Sequence, residues 1–222
     1  MKGQAQAVTA VLITSVVVGT VATSYTWGVP LLEKQQSQAE LDRTEQNVLG
    51  LYNQIVEVSQ GGEGTSAEID LFESSSSDTR VRINEEQNYI DIRKRGSSSP
   101  YPVDTWTLLK GNSLQNLSVG SGAYARSNDD LPGAVLVRSI SADEESLVTY
   151  RVEFRNMLAD TPSGRELSRI NLTAGGQTSS SGSTTIFISN QGTAWERGDQ
   201  GVELPNQEKV PRENTELVLG FR

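Results

Sequence analysis

Between Gly3 and Leu32 the chain carries no charged residue, a run of 30 positions. A bilayer core takes about 20 mostly apolar residues as a helix, so the central part, residues 5–29, is long enough to span one. Val8, Val11, Leu12 and Val16 supply its apolar faces. Thr9, Thr14, Thr20, Thr23 and Ser24 interrupt them. A helical hydroxyl can bond the carbonyl one turn earlier, so these side chains are compatible with lipid. Ala7, Ala10, Gly19 and Ala22 permit close approach of a second helix. Tyr25 and Trp27 fall where an interfacial aromatic belt would lie. Gly28 and Pro30 are expected to weaken or kink the helix at the water boundary. Lys2 precedes the span, and Glu33 and Lys34 cancel just after it. The charge rule therefore places the tip in the cytoplasm and the bulk of the chain outside.

Three readings of this N-terminus compete. A secretory signal peptide would have a cleavage site after a short apolar core, and Val21-Ala22-Thr23 is a weak match for one. A permanent single-span anchor is the second. The third follows from the tip Met1-Lys2-Gly3-Gln4, where a short basic stretch ends in glycine directly before the apolar run. That arrangement resembles the class III signal of archaeal type IV pilins and archaellins, and the start KGQAQAVTAVLIT is similar to pilin-like surface proteins of haloarchaea. The resemblance implies that a prepilin-type peptidase recognises Lys2 and Gly3, cuts after Gly3 and leaves Gln4 as the new N-terminus. It also implies that Val8, Val11, Leu12, Val16, Gly19, Tyr25 and Trp27 belong to a helix that passes from the membrane into a filament core. The departures are a single basic residue before the glycine and an apolar helix rich in Thr and Ser.

Residues 31–60 read as a second helical stretch. Leu41, Val48 and Ile55 recur every seven positions, Leu51 and Val58 complement them, and Tyr52 and Val56 widen the stripe. Leu41, Val48, Leu51, Tyr52 and Ile55 are thus the candidates for packing the helix against the following domain. Asp42, Arg43, Glu45 and Glu57 should face water, and Gly61-Gly62 should stop the helix. If residues 3–60 form one helix, it is about 85 Å long. The alternatives are a filament spine and a signal anchor with a juxtamembrane stalk.

Beyond residue 65 the pattern is β. Strands are expected at 67–72, 80–84, 89–93, 105–109, 123–126, 134–140, 147–156, 167–172, 184–189 and 217–221. A hairpin turn is expected at 85–88. No helical crossovers separate them, so parallel α/β architecture is unexpected and a sandwich or barrel is indicated. The fold class is α+β: a hydrophobic-then-amphipathic helix (4–60, after a signal tip 1–3) followed by an antiparallel β-sandwich-like head (65–222). The head has about 155 residues, enough for a core of its own, filled mainly by Val, Leu and Ile. Residues 74–77 and 175–183 read as polar turns, and 191–214 as a long polar stretch over the sandwich edge.

Composition narrows the chemistry. The chain has no Cys and no His, which removes disulfides, thiolate and imidazole metal ligands and the commonest general base. Net charge is −9 and the pI about 4.7, so a nucleic-acid footprint is missing. Only five of the 19 basic residues are lysine. Low lysine with excess acid suits a brine-solvated surface or an ordinary acidic extracellular domain. Serine–lysine pairs and carboxylate pairs are unconstrained by spacing, and no glycine-rich phosphate loop occurs. The expectation is a non-enzymatic chain without cofactor or metal. Asn116-Leu117-Ser118 and Asn171-Leu172-Thr173 match the N-glycan acceptor pattern. The clusters Asn128-Asp129-Asp130 and Asp143-Glu144-Glu145 lack calcium-loop spacing. The resulting expectation is a homo-oligomeric surface filament subunit, membrane-inserted before assembly. The alternative is an uncleaved single-span protein that presents a β-sandwich for adhesion or envelope contacts.

Overall fold

The structure is a computed structural model that describes residues 2–72, 79–96, 99–111, 124–126, 131–142, 145–182, 184–198, 201–204 and 209–222. A single helix, α1 (Lys2–Gln60), is followed by strands. In chain order these are β1 (Ser66–Phe72), β2 (Thr79–Asn84), β3 (Tyr89–Gly96), β4 (Thr107–Lys110), β5 (Tyr124–Arg126), β6 (Gly133–Ala142) and β7 (Glu145–Phe154). They continue as β8 (Asn156–Thr161), β9 (Gly164–Ala174), β10 (Ser179–Ser181), β11 (Thr184–Glu196), β12 (Val202–Glu203), β13 (Lys209–Val210) and β14 (Arg212–Phe221). The class is therefore α+β with an N-terminal helix and a β head.

Two six-stranded sheets face each other. The first has the order β1-β11-β14-β9-β8-β5, and the second β10-β2-β3-β7-β6-β4. Most pairings are antiparallel, but β9 runs parallel to β14 and β5 parallel to β8. The head is thus a mixed sandwich rather than a purely antiparallel one. The expected strand over 147–156 divides at Arg155, where the chain leaves the second sheet as β7 and joins the first as β8. Arg155 is fully buried at this corner and donates from Nε and Nη2 to the Leu131 carbonyl (3.1 and 3.0 Å). Within the polar stretch 191–214, β11 continues to Glu196 and pairs with the start of β14 after a bulge near Gly192. Ser179–Ser181 also forms a short strand on β2 rather than a turn.

One main core joins helix and both sheets. Leu41, Val48, Leu51, Tyr52, Ile55 and Val58 of α1 are each at most 2% exposed. They share a cluster with Ile186, Ile188, Leu217 and Leu219 of the first sheet and Ile90, Ile92, Val148 and Val152 of the second. The helix touches β1, β11 and β14 on one side and β3, β6 and β7 on the other. The seven-residue spacing read from the sequence is the reason: it puts these side chains on one stripe. Tyr52 stacks on Phe154 with ring centroids 5.8 Å apart.

Two local features make predictions. A Cβ on Gly133 would lie 2.6 Å from the Glu153 carbonyl oxygen and 2.9 Å from the Phe154 ring. The nearer neighbour is backbone and yields only if β7 shifts. Gly133→Ala is therefore expected to lower stability by about 2–3 kcal/mol, read from a denaturant midpoint. Next to it, burial pushes the Glu153 carboxyl up to about 7, partly opposed by Arg151 and reinforced by Asp91. The folded state then holds this proton more tightly than the unfolded chain does. Glu153's favourable contribution is full below about 4.5 and is lost as pH rises through about 7. Glu153→Gln should flatten stability across that window and leave the variant more stable than wild type at pH 8. A pH series of melting curves checks it.

Candidate assembly helix

The N-terminal part of α1 projects from the head. Val11, Leu12, Ile13, Val16, Val17, Val18 and Val21 are between 54% and 67% exposed, on every side of the helix. Tyr25 and Trp27 are still more exposed, at 72% and 78%. Leu31 and Leu32 close the apolar run before Glu33 and Lys34. By length and composition this is a helix able to cross a membrane. Apolar area of this extent is unstable in water.

Five hydroxyls within the run are satisfied internally. Thr14 donates to the Ala10 carbonyl (2.9 Å), Ser15 to Val11 (2.8 Å), Thr20 to Val16 (2.7 Å), Thr23 to Gly19 (2.8 Å) and Thr26 to Ala22 (2.8 Å). Each bond follows from four-residue spacing on a helix. Polar by composition, these residues thus ask nothing of a neighbour, and the helix fits a dry environment. A Cβ on Gly19 or Gly28 would meet nothing within 4 Å, so both leave open ground on the helix surface. At Gly28 and Pro30, where the helix is expected to weaken or kink, α1 continues and runs through Pro30. Proline lacks the N–H that would reach the Thr26 carbonyl, so this turn has one bond fewer than its neighbours.

Lys2, Gly3, Gln4 and Val8 belong to α1, with side chains outside the described ones. Asn116 lies outside the described residues, as do Asn128-Asp129-Asp130, Asp143 and Glu144. Asn171 is half-buried within β9, opposite Glu216 of β14. Among the described residues no group of acidic side chains is arranged to hold a metal ion.

The lower half of the helix is fixed to the head by polar clamps as well as by its apolar stripe. Lys94 pairs with Glu40 at 3.1 Å. Tyr101 donates its hydroxyl to the Glu45 carboxylate, so Glu45 is half-buried rather than in open water. Tyr150 donates to the Leu41 carbonyl (3.2 Å), and burial pushes its hydroxyl up to about 12. Asn47 donates to the Leu71 carbonyl at 2.6 Å. At the far end the Asn190 amide reaches the carbonyls of Val58 (3.0 Å) and Ser59 (3.3 Å). Helix-end carbonyls lack intrahelical donors, and this residue of β11 supplies one. Gly61 N–H bonds back to Glu57 and Val58, and Gly62 takes φ +81°, which ends the helix where the glycine pair begins. Sequence reasoning singled out the glycines but not Asn190, whose partner lies 132 positions away.

The two halves of α1 therefore do different work. One is an apolar rod with five of its hydroxyls closed on its own carbonyls, and the other is a structural member of the head. No family model, curated protein or solved structure matches this chain.

Proposed function

We propose that the chain is a structural subunit of a cell-surface filament of the archaeal type IV pilus kind. In this reading a prepilin-type peptidase cuts after Gly3, and the apolar half of α1 leaves the membrane to bundle with copies of itself. The observation that carries the reading is the exposed, uncharged rod from Val11 to Leu32, set behind a Lys-Gly tip and rigidly joined to a β head. Burying such faces against neighbours stabilises by roughly 25 cal/mol per Å² of apolar area. Internal bonds lower the desolvation cost that Thr14, Ser15, Thr20, Thr23 and Thr26 would otherwise carry. The acidic head would form the outer surface. The reading makes the chain structural, with no catalytic role.

The test is assembly in cells. Wild-type protein is expected in filaments sheared from the surface and visible by electron microscopy. Gly3→Trp should block processing and hold the protein in the membrane fraction. Val16→Asp should insert a charge in the rod and lower filament yield at least tenfold. Normal filaments from Gly3→Trp would sink the reading. So would extraction of the wild-type protein only as an uncleaved monomer, which would favour a single-span adhesion protein.

A further inference from the structure

The outer face of the second sheet carries an excess of positive charge on an acidic chain. Strand alternation and register put Arg80 and Arg82 of β2, Arg93 and Arg95 of β3, Arg138 of β6 and Arg151 of β7 on one side. These are six of the chain's 14 arginines. The acids on the same face are Asp91, Glu153 and, at the start of β7, Glu145. Asp91 is already engaged by Arg151 through two bonds (2.8 and 3.1 Å), with Arg93 at 3.6 Å. Among the described residues Arg80, Arg82, Arg95 and Arg138 have no carboxylate partner.

The arrangement works against folding rules. Arg80 stands directly opposite Arg93 in the β2–β3 pair, and like charges in that relation destabilise a sheet. Both side chains are exposed. At the other end of the face the guanidinium of Arg138 lies 4.7 Å from the Trp106 ring centroid. Arg151 lies 3.6 Å from the Tyr89 ring and 4.9 Å from that of Trp106. Stacking on rings pre-organises these planar cations for carboxylates.

The first sheet offers the complement. At its β1–β14 end the outer face presents Glu68 and Asp70 of β1 and Glu216 of β14, all exposed. Arg222 offsets only Glu68 there, at 3.3 Å. Arg165, Arg169 and Arg212 share the face nearer the starts of β9 and β14, where Asp160 and Glu196 pair with Arg165 and Arg212. We propose that the arginine face of the second sheet docks on the acidic β1–β14 end of the first sheet's outer face in a second copy of the chain. The two faces differ, so the contact is head-to-tail and continues from copy to copy instead of closing. It adds a contact between heads to the filament reading and rests on that reading for the placing of the copies.

Charge swaps in the full-length chain test it. Arg80→Glu/Arg93→Glu should cut recovery in assemblies at least tenfold, and Asp70→Arg/Glu216→Arg should do the same. Carrying all four changes should restore recovery. Melting curves of each variant exclude misfolding; Arg80→Glu/Arg93→Glu exchanges one like-charged pair for another and should melt close to wild type. Wild-type recovery from either pair alone would overturn the proposal, as would loss that the four changes together do not restore. Retention of wild type on immobilised polygalacturonate, lost in Arg80→Glu/Arg93→Glu with assembly unaffected, would assign the face to a polyanion instead and overturn docking between copies. Should wild type form no filaments at all, sedimentation of the detergent-solubilised chain separates the two ideas. Self-association with the same swap pattern would keep this contact and remove the filament reading, and a monomer would remove both.

Discussion

A chain beginning at Thr65 will not fold cooperatively, whereas one beginning at Gln35 will. The six buried helix residues, Leu41, Val48, Leu51, Tyr52, Ile55 and Val58, close the gap between the two sheets. At about 1.5–3 kcal/mol for each large apolar side chain, their loss removes on the order of 10–15 kcal/mol. That equals the whole net stability of an ordinary domain, about 5–15 kcal/mol. The clamps at Glu40, Glu45 and Asn190 would be lost with them. By contrast, the described residues from Thr9 to Lys34, which the longer chain lacks, bury no side chain, so their removal leaves the core intact. Near-ultraviolet dichroism and a cooperative melt of the two chains distinguish the outcomes. A sharp melt for the shorter chain would show that the sheets close without the helix. A graded version is Leu51→Ala, expected to cost about 2–5 kcal/mol.

Asn88→Ala is expected to cost about 4–5 kcal/mol, the largest effect of any polar substitution in the head. Asn88 sits at the end of the β2–β3 turn, fully buried, with φ 59°. Its amide donates to the carbonyls of Ile170 (2.7 Å) and Phe154 (3.2 Å), and its carbonyl accepts from the Leu172 N–H (2.8 Å). One side chain therefore ties a hairpin of the second sheet to β9 of the first. Truncation leaves three buried backbone groups without this partner, each at about 1–3 kcal/mol before relaxation. Alanine adds about 1 kcal/mol for the left-handed backbone. Asn88→Gly keeps the backbone freedom and should recover only that last part. Urea midpoints of the chain beginning at Gln35 measure both variants. A loss under 1 kcal/mol would mean that water replaces the side chain and the sheets do not depend on this tie.

How much of this is visible in the sequence depends on the range of the interaction. The helix is legible because its determinants are local: a charge-free run, a seven-residue stripe and a glycine stop. The β2–β3 hairpin and the alternation of β1 are legible for the same reason. Parallel pairing of β9 with β14 is not, because it joins residues more than 40 positions apart with no local signature. The second half of β11 falls in the stretch that reads only as long and polar; it is a strand because β14 supplies its hydrogen bonds after the bulge. Asn88 and Asn190 look like ordinary turn and strand asparagines until their distant carbonyl partners are known. The arginine face needed the register, since Arg80, Arg93 and Arg138 are scattered in sequence and meet only across strands. The apolar rod is the opposite case, since its composition alone marks it out.

The central claim is that this chain is processed at its tip and built into filaments through the helix behind it. The N-terminal peptide of the native protein, identified by mass spectrometry of surface and membrane fractions, tests that claim most directly. A mature chain starting at Gln4 is the predicted result. A chain starting at Met1 would contradict it and leave a membrane-anchored ectodomain; a start beyond Ala22 would contradict it too, since the rod would then be a discarded signal.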